Sequence, residues 1–149
     1  MCIRDSLVDG ADVIILPTAA QTRSLELTLE MAEHLKQFKV PFAALLVKVD
    51  SRKAMAAREI RQALDAAGIS VLRAQIPLLA AFEKAENAGV TVDQALSAAG
   101  KSDPRRMIGW HAYTKACEEI AELAPKRGQV IPMHPIGWDT TPLEERQVA

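Results

Sequence analysis

The residues best placed to do chemistry lie in DSRKAMAAREIR, residues 50–61. Arg52, Lys53, Arg58 and Arg61 fall around the start and outer face of one helical pattern, directly after an apolar run that reads as a strand. Cations so placed can meet the phosphate oxygens of a nucleic acid or of a smaller ligand. Glu59 and Asp65 dilute the patch, and an ordinary solvated helix face accounts for the same pattern. Both readings stay open on the residues alone.

Other chemistries lack their parts. Phosphate binding on an α/β sheet usually needs a glycine-rich loop before a helix, whose N–H groups and lysine hold the phosphates. The chain has 7 glycines and neither G-x-x-x-x-G-K-[ST] nor G-x-G-x-x-G. His34, His111 and His134 stand far apart, none at a metal-ligand spacing from another. No G-x-S-x-G elbow presents a serine nucleophile. His34 reads as a solvated residue on a charged helix face, and Cys117 as a small buried hydrophobe. No catalytic residue or metal site is expected within these 149 residues.

The basic segment must be held by strands and helices, and the apolar pattern supplies both. Residues 12–18 (DVIILPT), 40–49 (VPFAALLVKV) and 70–76 (SVLRAQI) are apolar runs that suit strands of a parallel sheet covered on both faces. The first reads as fully buried. Between them, Leu25, Leu29, Ala32 and Leu35 make one helical stripe, and Ala56, Ile60, Ala63, Leu64 and Ala67 another. Asp50 or Ser51 can cap the second helix, and Gly68 can end it in a left-handed turn. A helix is expected over LLAAFEKAENAG, then a linker with a short helical piece over residues 90–106. A last helix over GWHAYTKACEEIAELA puts Ala112, Ala116, Ile120 and Leu123 on one face. Alternating strands and helices predict an α/β fold, the carboxyl-terminal part of a doubly wound, mostly parallel sheet.

Composition narrows the partners. Eighteen Lys+Arg against nineteen Asp+Glu leave a formal charge of −1, so only a local patch could favour nucleic acid. Aromatic residues at 4% make a base-stacking surface unlike this chain. No apolar run approaches the ~20 residues of a spanning helix. Residues 125–149 hold four prolines and no period, and read as an extended or disordered tail.

The start is anomalous. MCIRDS can be encoded by codons resembling the end of a transposase-based sequencing adapter, so residues 1–6 are expected to be a fusion scar. The alternative is a genuine start with a short polar lead-in. A strand read as buried so close to Leu7 also points to an interrupted domain.

Residues 7–124 resemble the carboxyl-terminal half of the ParA/MinD group of deviant P-loop ATPases, ParA partition proteins most of all. LVDGADVIILPTAAQTRSLELTLEMAEHL is similar to the segment after the Walker B strand, and LLVKVDSRKAMAAREIRQAL to the next strand and its D-x-R turn. VLRAQIP with EKAENAGVTV resembles the strand ending in Ile-Pro, and DPRRMIGWHAYTKACEEI the closing segment and final helix. The resemblance implies a full-length parent that binds ATP with Mg2+, dimerises, coats DNA without sequence preference and is stimulated by a ParB-like partner. Its Walker motifs would precede Leu7, leaving this chain inactive alone, with no tight ATP or Mg2+ binding.

By position, the resemblance places Ile76, Pro77 and Leu78 beside adenine, with Val47 and Lys48 on the other wall. Val47 stands where relatives often have Asn or Thr. Arg52 matches a basic position for nonspecific DNA binding, with Lys53 beside it. A second such position holds Ala81, and Leu78 follows Pro77 where an arginine is the alternative. The expected setting is the bacterial cytoplasm, on the nucleoid for a ParA protein, and not a membrane, because the tail makes no amphipathic helix. Two other readings remain: a MinD-like ATPase positioning another cargo, and a short non-enzymatic interaction module.

Overall fold

The computed structural model describes residue 8, residues 10–97 and residues 99–124. The expected scar at residues 1–6 and the proline-rich tail at 125–149 lie outside the described residues, as do Cys2 and His134. Three strands, β1 (Ile14–Ala19), β2 (Phe42–Val49) and β3 (Val71–Pro77), form one sheet in the order β1-β2-β3. Both pairings are parallel. β1 runs in unbroken register from Ile14 opposite Phe42 to Ala19 opposite Val47, whereas the β2–β3 register shifts twice between Ala44–Val71 and Val49–Pro77.

Among the described residues four α-helices with full bounds pack on this sheet: α1 (Thr22–Leu35), α2 (Ala54–Ala66), α3 (Ala80–Ala88) and α4 (Arg106–Leu123). The period of two along β2 sends its side chains to opposite faces. Ala44 and Leu46 pack with Ala32, Ala57, Ile60 and Leu64 of α1 and α2. Ala43 and Leu45 pack with Leu72, Ala74 and Ile76 of β3 and Ala116 of α4. Helices thus cover both faces of an all-parallel open sheet, as its continuous apolar central strand requires.

Local chemistry sets the boundaries. The Asp50 carboxylate accepts from the Arg52 N–H at 3.0 Å, opening a 3-10 turn (Ser51–Lys53) that leads into α2. Gly68, with φ 72°, supplies the left-handed turn beyond α2. α3 closes on Gly89 at φ 63°, as its sequence predicts.

Four expectations need correction. β1 is not fully buried: Ile14, Ile15 and Leu16 are half-buried and Pro17 is exposed, because its far edge pairs with no strand among the described residues. The buried stripe of α2 runs through Ala57, Ile60 and Leu64, with Ala56 and Ala63 only half-buried. Cys117 is exposed, since it follows buried Ala116 and a helix turns about 100° per residue. His34 is half-buried rather than solvated, its ring edge-on to Phe38 at 5.6 Å.

Candidate functional site at the carboxyl ends of the strands

In an open parallel sheet, ligands bind outside the carboxyl ends of the strands, where loops and helix starts converge. Here β2 ends at Val49 and β3 at Pro77, and the Leu78 N–H donates to the Val49 carbonyl at 2.9 Å, tying the two ends together. A cavity of about 620 Å³ opens beside them. Ile76, Pro77 and Leu78 form one wall, Phe82 of α3 and Tyr113 of α4 another, and Lys48 stands at the rim.

The chain enters this site under constraint. Among the described residues, Lys48 is the one non-glycine residue with positive φ, at 53°. A side chain in that region carries a steric cost that surrounding contacts must offset. The twist coincides with the register shift between Leu46 and Val49. An irregularity of this kind locally bends a strand and re-aims the residues that follow. Phe82 and Tyr113 meet edge-to-face, with centroids 5.6 Å apart and planes at 83°. That is a favourable aromatic geometry.

Of the sequence-derived residues, Lys48, Ile76, Pro77 and Leu78 come together on the cavity. Val47 does not line it: it is half-buried and packs into the core between the sheet and α4. Phe82, Tyr113, Glu83 and Glu86 also line the cavity, and sequence reasoning did not assign them to it. The signal that could have found Tyr113 is that it is the sole tyrosine in a chain poor in aromatics.

Arg52 and Lys53 lie on the exposed turn after β2. The Arg52 guanidinium donates to Asp50 through Nε at 3.1 Å and Nη2 at 2.9 Å, a bidentate ion pair on a side chain 86% exposed. The hydrogen bond from Arg52 holds the Asp50 carboxyl below its ordinary pKa, and Asp50 in turn raises that of Arg52. Ala81, where a second basic residue would stand, is 1% exposed and packs with Ala85, Val92 and Ala95.

One buried carboxylate organises the far side. Asp103 accepts from Lys84 Nζ at 2.5 Å and from the Arg105 N–H at 2.9 Å, linking α3 to the start of α4. The Lys84 hydrogen bond, with the Arg105 N–H second, lowers its pKa. The sequence read this stretch as linker, although an Asp-Pro pair ahead of a helical pattern is a turn and cap signal.

Apolar and aromatic side chains with Lys48 and Tyr113 give this cavity the mix of apolar surface and a few polar groups that small-molecule sites share. Glu83 and Glu86 on the same cavity disfavour a phosphate chain there. Among the described residues, no group of three or more His, Cys, Asp and Glu is placed to hold a metal ion. No helix among them is long and apolar enough to cross a membrane. No protein-family model matches the chain, and no curated protein matches it.

Proposed function

We propose that this chain contributes the base-binding side of a ParA-type partition ATPase, a doubly wound domain of the P-loop type whose phosphate loop and metal-binding aspartates lie in other residues. One observation carries the reading: Lys48, Ile76, Pro77 and Leu78, from two neighbouring strand ends, and Tyr113, far along the sequence, line one cavity at the carboxyl ends of parallel strands. Ile76, Pro77 and Leu78 would hold the flat face of adenine, with Phe82 and Tyr113 closing the opposite side. Bound ATP supplies the energy for dimerisation in such a protein. This chain's own contribution is to bind and orient the base, and no hydrolytic step is assigned to its residues. DNA as a partner, a ParB-like activator and a place on the bacterial nucleoid belong to the same proposal.

Adenosine tests the base site without the phosphates. Titrated into the isotopically labelled chain, it is expected to shift the amide signals of Lys48, Ile76 and Leu78, with affinity in the millimolar range (roughly 4 kcal/mol) for a half-site. Leu78→Asp should abolish the shifts. Unmoved signals at saturating adenosine would remove the base-site assignment. The parental gene gives an independent check, since a K-G-G-x-G-K-[ST] loop is expected in frame ahead of the Leu7 codon and an in-frame stop there would remove the ATPase reading.

A MinD-like ATPase that positions another cargo is the second reading. The burial of Ala81 favours it, because a basic side chain could not reach solvent from that position without displacing the α3 packing. Duplex DNA binding by the chain separates the two. Saturable, salt-dependent binding supports partition, and none supports the second reading.

A further inference from the structure

Two clefts flank the outer edge of β3, one on each face of the sheet. The first, about 390 Å³, has Arg58 and Arg61 above a floor of Val49, Ala54 and Ala57. The second, about 380 Å³, has Arg73, His111 and Lys115 around Ile108 and Ala112. Gln75 and Pro77 line both, so the clefts meet across the strand.

Among the described residues, four cationic side chains and a histidine thus line this edge, and no Asp or Glu lines either cleft. The chain as a whole has a formal charge of −1, so the cations are concentrated rather than abundant. The nearby Glu119 carboxylate accepts from the Arg73 N–H at 2.7 Å and the Ala74 N–H at 2.8 Å and also lies 3.8 Å from Arg73 Nε, so it offsets part of the Arg73 charge and leaves Arg58, Arg61 and Lys115 as the main cations of the edge. Arg61 is already positioned, with Nη1 donating to the Leu72 carbonyl at 2.9 Å. A guanidinium held this way loses less freedom when it meets an anion.

We propose that this edge is a docking surface for an extended acidic segment of a partner protein. The proposal is independent of the nucleotide reading. An extended chain sends successive side chains to opposite sides. Laid along Gln75–Pro77, such a segment would drop alternate side chains into the two clefts, carboxylates on the arginine and lysine rims. The apolar floors decide between polyanions: a polypeptide offers aliphatic carbons to cover exposed Ile108, and a phosphodiester backbone does not. Arg61 and Glu119 already occupy backbone groups of Leu72, Arg73 and Ala74, so a segment extending beyond Gln75 towards Leu72 would be recognised there through side chains.

The test is fluorescence anisotropy with a labelled peptide of alternating Asp and Val, added to the full chain. A Lys–Val peptide and duplex DNA of similar length serve as comparisons. The Asp–Val peptide should bind saturably, and more weakly as salt rises. Arg58→Ala and Lys115→Ala, both at exposed positions on opposite faces, should each weaken binding about threefold and together about tenfold. Unchanged melting temperatures for both variants would establish that they fold. Equal binding of the Lys–Val peptide, or full binding by the double variant, overturns the proposal. Tighter binding of DNA with the same dependence on Arg58 and Lys115 overturns it in favour of nucleic acid.

Discussion

Glu119 is the residue whose removal should most directly expose how β3 is finished. Its carboxylate reaches from α4 to two successive N–H groups of the edge strand, at 2.7 and 2.8 Å, on a side chain only 17% exposed. Hydrogen bonds to a charged acceptor contribute about 1.5–3 kcal/mol each. Water can replace the bond at exposed Arg73, so the lower part of that range applies there. Glu119→Gln keeps one carbonyl oxygen for one N–H but turns an NH2 towards the other. The expected loss is about 1–2 kcal/mol, from one charge-assisted bond weakened and one removed. With a urea slope of about 1–3 kcal/mol/M, the midpoint should fall by roughly 0.3–2 M. Amide exchange at Arg73 and Ala74 should quicken by about tenfold for each 1.4 kcal/mol of local loss. A variant with an unchanged midpoint and unchanged exchange at both amides would show that Glu119 does not hold this edge.

Three other perturbations probe the rest of the fold. Leu64, fully buried between α2 and the sheet, should cost about 2–5 kcal/mol as Leu64→Ala, measured by the same urea titration. Gly109→Ala sets a helix gain of about 1 kcal/mol against a Cβ placed 2.9 Å from the Phe82 ring and 3.0 Å from Val92. Overpacking costs about 1–3 kcal/mol, so net destabilisation and a displaced Phe82–Tyr113 contact in NMR spectra are expected. Asp103 has a folded-state pKa below its ordinary 3.8, so its contribution is present above that value and is lost as pH falls through the lower folded value. Melting temperature should therefore fall below about pH 4 in the wild type, and less steeply in Asp103→Asn.

How far the sequence could be read depended on whether burial was decided locally. Ala43 to Leu46 form an unbroken apolar run and are buried, since a central strand has neighbours on both edges. β1 carries the same kind of run but lies at the edge of the described sheet, and no periodicity reports a missing neighbour. In α2, five alanines among thirteen residues hide the buried face, because alanine is at home on either side of a helix. Ile60 and Leu64 fix that face, and Ala57 follows from them at i−3. The strand-end residues Ile76, Pro77 and Leu78 were singled out by the family resemblance, and being contiguous they reach the same cavity together. Phe82 and Tyr113 were not, since only the packing of α3 against α4 brings them to the same cavity.

The pairing of Arg52 with Asp50 gives the DNA proposal its sharpest test. A phosphate approaching Arg52 must share a guanidinium already bonded through two nitrogens to a carboxylate. The negative charge of Asp50 also repels the phosphate directly. Removing Asp50 altogether would confuse the result, because the same carboxylate accepts from the Arg52 N–H and opens the turn into α2. Asp50→Asn separates the two roles: its amide oxygen still accepts from that N–H, while the charge and the bidentate ion pair are lost. If Arg52 meets DNA, the variant should bind duplex more tightly and its salt dependence should steepen by about one phosphate contact, a change near 0.9 in the log–log slope. The added change should disappear in Asp50→Asn combined with Arg52→Ala. Equal binding and equal slopes for wild type and Asp50→Asn would take Arg52 out of any DNA surface and leave its guanidinium as the partner of Asp50 alone.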